Sequence, residues 1–463
     1  MLEPAYQADV VVVGAGIAGL VAAHRLTSAG VTTTVLEAAH AVGGRMATEK
    51  VDGFRLDRIG QVLSTACPEL RRAPGLEGLA LLPFAPGVLL HSEGRHHRAG
   101  APTSARGARG ALHAVRALAS APRSVPAPRR PVVAARVPGR PVPVPRTRAG
   151  APLGTAVDQA RLGAALTRLA GTPVERLLAR PELSAARALA GRGLPPRTID
   201  GFLRPLLAAL LCDPDLTTSS RVADLALRDF ARGGLGLPEG GAEALPELLA
   251  RRLPPGTVRT GVRVTSVATN AVTTAEHGVV RCRAVLVATD ARAAAELLPG
   301  LRVPDFHPVT VVHHTTDEPP ATGASLLLDA DRGGPVAHTA VVSHVDPSRA
   351  PVGRALVSST VLGPPPPDVD TAVRIHLSRL YGTPTTRWET LAVHHTPEAV
   401  PAMRCLLYIS ERAGNVCGDH RDTSGVRGAL HSGHRASAAI LADLGAGRPM
   451  HAAEPPRTAD AAA

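Results

Sequence analysis

Lysine is almost absent from this 463-residue chain: Lys50 stands alone among 51 basic residues. A Walker A phosphate loop needs Gly-Lys-Ser/Thr, so an ordinary P-loop NTPase is excluded, and Schiff-base or pyridoxal chemistry would rest on Lys50 alone. Aromatic residues are scarce too, with five Phe, three Tyr and one Trp, which leaves little to stack on nucleic-acid bases. The five cysteines (Cys67, Cys212, Cys282, Cys405, Cys417) are scattered, odd in number and never spaced CxxC. That pattern suits reduced thiols better than disulfides or zinc, and no structural metal is expected. No apolar run reaches the ~18 residues of a membrane span and no basic leader opens the chain, so the expectation is a cytoplasmic protein.

Positive charge is abundant but confined. The formal net charge is +12, yet residues 91–150 hold twelve arginines against one acid, Glu93, a local excess of 11. The remainder is close to neutral, so the basic balance does not describe the body of the protein, and no nucleic-acid partner is expected. From Pro122 to Pro152 nine prolines interrupt any helical period. Proline fixes φ and removes a donor, so this half reads as an exposed polyproline-like or disordered insertion. A solvated linker is the favoured reading, with electrostatic contact to anionic lipid or nucleic acid as the alternative.

Residues 10–45 organise the chain: VVVVGAGIAGLVAAHRLTSAGVTTTVLEAAHAVGGR. An apolar run from Val10 to Val13 is followed at once by Gly14, Gly16 and Gly19 in GxGxxG spacing and then by a helical pattern through Ala29. A second β-branched run ends in Glu37, 23 positions after Gly14, close to the distance expected for an acid that binds a ribose hydroxyl. Strand, glycine turn, helix and acid occur in register, which is the pattern of a dinucleotide site. Gly14 allows the turn, Gly16 lets backbone approach a diphosphate, and Gly19 lets the helix pack closely on the strand. The diphosphate would sit on unpaired N–H groups at a helix N-terminus.

Gly43-Gly44-Arg45 closes the loop behind Glu37, and VDGFRLDRIGQ (51–61) suggests a short hairpin turning at Asp52-Gly53. From Leu153 to Phe230 the period is helical, with breaks at Thr172-Pro173 and Pro195-Pro196, and the run Phe202 to Leu211 is apolar almost all round, as in a buried helix. After the glycine-rich stretch 233–241 comes a helix, ALPELLARRL. Strand-like stretches follow at 258–269, 272–274, 279–282 and 284–289, then a helix from Ala291 to Leu298. Residues 301–402 alternate strands (VTVVHHT, VAHTAVVSH, ALVSSTV, LAVHH) with one helix near 370–380. The loop Asn415 to Asp419 and a helix from Gly425 to Leu444 end the pattern. The histidines His96-His97, His313-His314, His394-His395 and His431/His434 have no matching carboxylate motif and read as core or solvent-facing residues.

The ordered set VVVGAGIAGL, VLEA, GGR, LPEGG, VRVTSV, AVLVATD and NVCGDHRDTSGVRGALHSG resembles the flavin amine oxidase superfamily, which includes phytoene desaturases and protoporphyrinogen oxidases. The likeness is specific to the cofactor domain and matches the middle of the chain only in outline. It implies an α/β fold: a Rossmann-like FAD-binding domain assembled from separated segments (1–75, 236–300 and 402–447), with an inserted α+β substrate domain (151–235 and 301–401). The basic segment 91–150 and a tail, 448–463, stand apart.

Carried over residue by residue, Gly14, Gly16 and Gly19 would bind the diphosphate and Glu37 the adenosine ribose. Gly44 and Arg45 would follow, with Arg45 along the phosphates. Val264 would meet adenine through its backbone. Asp419, with Gly418 before it, would hold the ribityl chain or diphosphate, and Val426 would present its N–H near the flavin pyrimidine.

The implied function is an FAD-dependent oxidoreductase of oxidase, dehydrogenase or desaturase type, accepting a hydride from an apolar or amine substrate. No second dinucleotide fingerprint is present, so the substrate itself would reduce the flavin, with oxygen or a quinone reoxidising it. Many amine oxidases place a lysine near the flavin and frame it with aromatic side chains. Here Lys50 adjoins the GGR loop on the adenosine side, and Trp388 and Tyr408 are the candidates for a wall, both more often core residues. An FAD-binding but redox-silent homologue, such as a non-redox isomerase, is the alternative. No catalytic residue is assigned.

Overall fold

The computed structural model describes residues 8–99, 152–404 and 415–445. The expectations for the part of the basic segment 91–150 beyond residue 99, for Cys405 and Tyr408, and for the tail 448–463 lie outside the described residues.

Strands Val258–Thr260, Thr33–Glu37, Val10–Val13 and Ala284–Val287 lie side by side in that order, all parallel. Val416 adds a parallel bridge to Val287, so a segment from the far end of the chain completes the edge. Side chains alternate across a strand, and the alternation divides the core. Val10 and Val12 pack with Ala18, Leu20, Leu430 and Ile440 of the helices Ile17–Ser28 and Val426–Gly445. Val11 and Val13 instead pack with Val272 and Val280 of an antiparallel three-stranded layer, Val264–Ala268, Ala271–Thr274 and Gly278–Arg281. Both sheet faces are covered, which is why Val10–Val13 and Ala284–Val287 read as unbroken apolar runs. The two helices meet closely because Gly433 has no side chain: a Cβ there would lie 2.3 Å from the Ala18 carbonyl oxygen.

The second layer is a seven-stranded sheet in the order Glu389–Pro401, Phe306–Thr316, Ala355–Leu362, Val336–Val341, Leu327–Asp329, Val88–Ser92, Arg95–Ala99. Neighbours are antiparallel except Leu327–Asp329 with Val88–Ser92. The helices between Ala156 and Arg232 pack on it, with Leu162, Leu166, Phe202 and Phe230 in one core with Leu328 and Leu356. Leu206 and Leu207 are fully buried, as the all-round apolar pattern implied. Trp388 packs with Tyr381 in the core of the sheet's other face. Between the layers lies the expected hairpin, Thr48–Val51 and Phe54–Asp57; Asp52 (φ 49°) and Gly53 (φ 82°) both take the positive φ of a two-residue type I′ turn.

Three boundaries differ from the sequence reading. The basic segment does not begin at His91: residues 91–99 belong to the hairpin Val88–Ser92/Arg95–Ala99 at the edge of the large sheet. An edge position tolerates the arginines and histidines that hid the strand. The run 258–269 is two strands in different sheets, broken where Gly261 takes φ 72°. VAHTAVVSH is a strand only to Val341 and then turns into the short helix Val342–Val345.

Candidate functional site

A cleft of about 630 Å³ opens at the carboxyl ends of the parallel strands, within the roughly 300–1,000 Å³ typical of small-molecule sites. Nine of the ten expected residues line it: Gly14, Gly16, Glu37, Gly44, Arg45, Val264, Gly418, Asp419 and Val426. The tenth, Gly19, supports the wall from behind. A Cβ on Gly19 would lie 2.1 Å from the Gly14 carbonyl oxygen, and one on Gly14, at φ 105°, would lie 2.8 Å from that of Ala288. Gly16 differs: its backbone is extended (φ −73°, ψ 176°), and a Cβ there would meet nothing within 4 Å. Two glycines are thus required by the fold, while the third leaves free space facing the cleft.

Gly16 caps the helix Ile17–Ser28 without a side-chain hydrogen bond, and Gly16, Ile17 and Ala18 line the cleft at that end. First-turn N–H groups have no intrahelical partner and carry the positive end of the helix dipole, so this wall is built for an anion. Glu37 is held at the end of its strand. Its Oε2 accepts the Ala15 N–H at 2.7 Å and its Oε1 the Ala39 N–H at 2.9 Å, which leaves each oxygen a further lone pair.

At the other end Asp419, only 3% exposed, joins two segments. Its Oδ1 accepts from the Arg45 guanidinium and its Oδ2 accepts the Gly425 N–H at 3.2 Å, at the start of the helix Val426–Gly445. Arg45 also donates to the Ala399 carbonyl at 2.7 Å. Burial works against the Arg45 charge, but the Asp419 carboxylate beside it keeps the guanidinium above its ordinary pKa. Gly425, at φ 81°, admits Gln61, whose Nε2 would lie 2.5 Å from a Cβ. Gly418 is likewise forced, at φ 150° with the His420 ring against it. Burial pushes His420 down to about 4, so its ring is neutral at pH 7.

A smaller, apolar cavity of about 100 Å³ adjoins the cleft and shares Gln61 and Val426 with it. Leu63, Leu70, Leu210, Leu211, Val222 and Leu225 are among its apolar lining. At one pole Arg427 donates to Asp229 Oδ2 at 2.7 Å and Glu69 Oε1 at 3.1 Å, and Arg228 donates to Asp229 Oδ1 at 3.4 Å, so two guanidinium groups match the two carboxylates. Burial pushes the Asp229 carboxyl up. No aromatic side chain lines either space among the described residues. Lys50 lies apart on the hairpin, exposed and 3.3 Å from Glu243.

Sequence reasoning missed Gln61, Ala288 and Asp290 as cleft residues. Gln61 ends the quoted hairpin stretch and Asp290 caps the helix Ala291–Leu297, but no local pattern says which way either segment faces. Among the histidines, His431 Nδ1 pairs with Asp422 at 2.7 Å and His434 contacts Arg25, so the i, i+3 pair shares no ligand site. His313 is a core residue, bonded to Ser358 Oγ at 2.9 Å and the Asp57 carbonyl at 3.0 Å. Sequence reasoning places His91 in the basic segment with no role, yet the fold brings it beside Asp329 and Asp331.

A family model described as flavin containing amine oxidoreductase matches residues 17–441. Over 68 residues the chain is 53% identical to putrescine oxidase from Kocuria rosea, a match spanning 15% of this chain and 14% of that protein. In structure the chain resembles an oxidoreductase from Methanosarcina mazei, with TM-score 0.65, 16% identity, and coverage of 92% of this chain and 98% of that one. It also resembles reduced UDP-galactopyranose mutase, with TM-score 0.61, 14% identity, and coverage of 95% and 96%. At these identities the structural likenesses establish the fold.

Proposed function

Because the chain belongs to the flavin containing amine oxidoreductases, with FAD as its cofactor, we propose that it oxidises an apolar substrate bound in the cavity beside Val426. The observation that carries this reading is that the apolar cavity and the long cleft share Gln61 and Val426. In the proposed arrangement the open space at Gly16 and the free N–H groups of the helix start behind it take the diphosphate, and Glu37 takes the adenosine ribose. Val264 lies along the adenine, and Arg45, Gly44, Gly418 and Asp419 flank the middle of the cleft. When bound, FAD supplies a hydride acceptor.

The chain's own part is mainly electrostatic and steric. Asp419 holds Gly425, and so aims the start of the last helix into the cleft; its N–H groups and dipole favour negative charge developing there. Leu63, Leu210, Leu211 and Leu225 keep water from the substrate side and orient a C–H bond. An apolar substrate fits better than an amine, since Asp229 and Glu69 are already paired to Arg427 and Arg228 and no aromatic cage lines the described cavity.

The test is anaerobic titration of the yellow holoprotein with polyenes, porphyrinogens and amines, followed by flavin absorbance. Bleaching by an apolar donor, reversed by oxygen or a quinone, is the expected result. Bleaching by amines alone overturns the substrate assignment. Bound flavin that no donor reduces would favour the redox-silent reading.

A further inference from the structure

The large sheet carries a cluster far in sequence from the cofactor cleft. His91 and Asp329 lie directly opposite each other where strands Val88–Ser92 and Leu327–Asp329 pair in parallel. The turn after Asp329 folds back on them: the Asp329 carboxylate accepts the Asp331 N–H at 3.1 Å and the Gly333 N–H at 2.7 Å, and the Ala330 N–H donates to the His91 carbonyl at 3.0 Å. Asp331 is thereby held beside the same ring. Its Oδ1 accepts from the Ser92 hydroxyl at 2.8 Å and its Oδ2 from the Glu93 N–H at 2.7 Å.

His91 is 2% exposed, and neither of its ring nitrogens has a hydrogen-bond partner among the described residues. A buried polar group in that condition is costly unless something completes it. Its Nδ1 lies 3.9 Å from Asp329 Oδ1 and 3.9 Å from Asp331 Oδ2. That is too long for a hydrogen bond, but one nitrogen and two carboxylate oxygens so placed surround a common point.

We infer that His91, Asp329 and Asp331 form a binding site for a divalent transition-metal ion of the Zn²⁺ class. One imidazole with two carboxylates is a borderline donor set that suits such an ion better than Mg²⁺ or Ca²⁺. Metal–ligand distances near 2.0–2.2 Å require the three groups to draw together by about half an ångström. The neighbours are arranged to permit this. His376 Nε2 lies 3.0 Å from Asp329 Oδ2 and 2.9 Å from Arg379 Nη2, while its Nδ1 accepts the Val336 N–H at 3.1 Å, so the ring is held against Oδ2 and away from Oδ1. Arg379 also approaches Oδ2, at 3.5 Å, so the Oδ1 that faces His91 keeps a lone pair. Asp331 is about one-third exposed, which gives the ion a path in and leaves its remaining positions to water. The bound ion clamps the 329–333 turn to the hairpin from which residues 100–151 depart.

The test uses the full-length flavin-loaded protein, stripped with a chelator and then dialysed against Zn²⁺, with metal content per chain measured. The wild type should take up one Zn²⁺ and melt at a higher temperature with it. Asp331→Asn should bind at least tenfold more weakly, with flavin absorbance and metal-free melting temperature unchanged. His91→Gln should lose the site as well. Co²⁺ provides a second readout: a visible absorption band that is present in the wild type and absent from Asp331→Asn. No uptake by the wild type, equal uptake by Asp331→Asn, or tighter binding of Ca²⁺ than of Zn²⁺ would overturn the assignment.

Discussion

The three glycines of the GxGxxG turn share a motif but do different physical jobs. Gly14 and Gly19 are fixed by backbone atoms 2.8 Å and 2.1 Å from where a Cβ would stand, whereas Gly16 has open space and ordinary backbone angles. Gly16→Ala should therefore fold normally and lose FAD affinity by at least about tenfold, because its methyl group intrudes where the diphosphate is proposed to sit. Gly19→Ala must instead push helix from strand, costing about 1–3 kcal/mol or more of stability. Thermal melts of the apoproteins, set beside FAD titrations, separate the two effects. The sequence motif located all three positions but could not rank them, since the difference lies in what Ala288 and the cleft place around each. The same limit hid Asp419's task. Its loop was recognisable, but its hold on both Arg45 and Gly425 joins segments that no spacing rule connects.

Secondary elements were most legible where burial is two-sided. Val10–Val13 and Ala284–Val287 are apolar throughout because helices cover one face and a three-stranded layer the other. The edge hairpin ending Arg95-His96-His97-Arg98 was illegible for the converse reason: charge on an edge strand looks like charge in a linker. Within the large sheet the histidines carry a consequence of their own. Burial pushes His313 and His338, on strands Phe306–Thr316 and Val336–Val341, down to about 4. An unfolded histidine titrates near 6.5, so between those values the unfolded chain binds protons that the folded one does not. Stability is complete above about pH 6.5 and is lost as pH falls toward 4, by up to about 3 kcal/mol for each residue. His431, raised by its hydrogen bond to Asp422, works in the opposite sense, but it is half exposed and offsets little. Melting temperatures recorded from pH 7 to pH 4 should fall steadily, and His338→Leu should flatten that slope.

At the scale of the molecule, charge and fold occupy different parts of the chain. The parallel sheet draws strands from residues 10–37, 258–260 and 284–287 together with Val416, while almost all the net charge lies in 91–150. Within that segment only His91–Ala99 is described, and its side chains already serve the sheet through His96, bonded to the Leu380 carbonyl at 2.6 Å, and Arg98, bonded to Pro86 and Ser325. We expect any electrostatic attachment of the enzyme to an anionic membrane to rest mainly on residues 100–151, which hold ten of the twelve arginines and no acid. An apolar substrate dissolved in lipid would make such attachment useful. Replacing 100–151 with a short Gly/Ser linker should leave flavin content and turnover of soluble donors unchanged, because all ten residues proposed to hold FAD lie elsewhere in the chain. Binding to phosphatidylserine vesicles by the full chain should weaken steeply as salt rises, since it rests on charges screened over about 8–10 Å. The shortened chain should sediment with neither anionic nor neutral vesicles, and equal sedimentation of the two proteins would move the membrane contact onto the nearly neutral body.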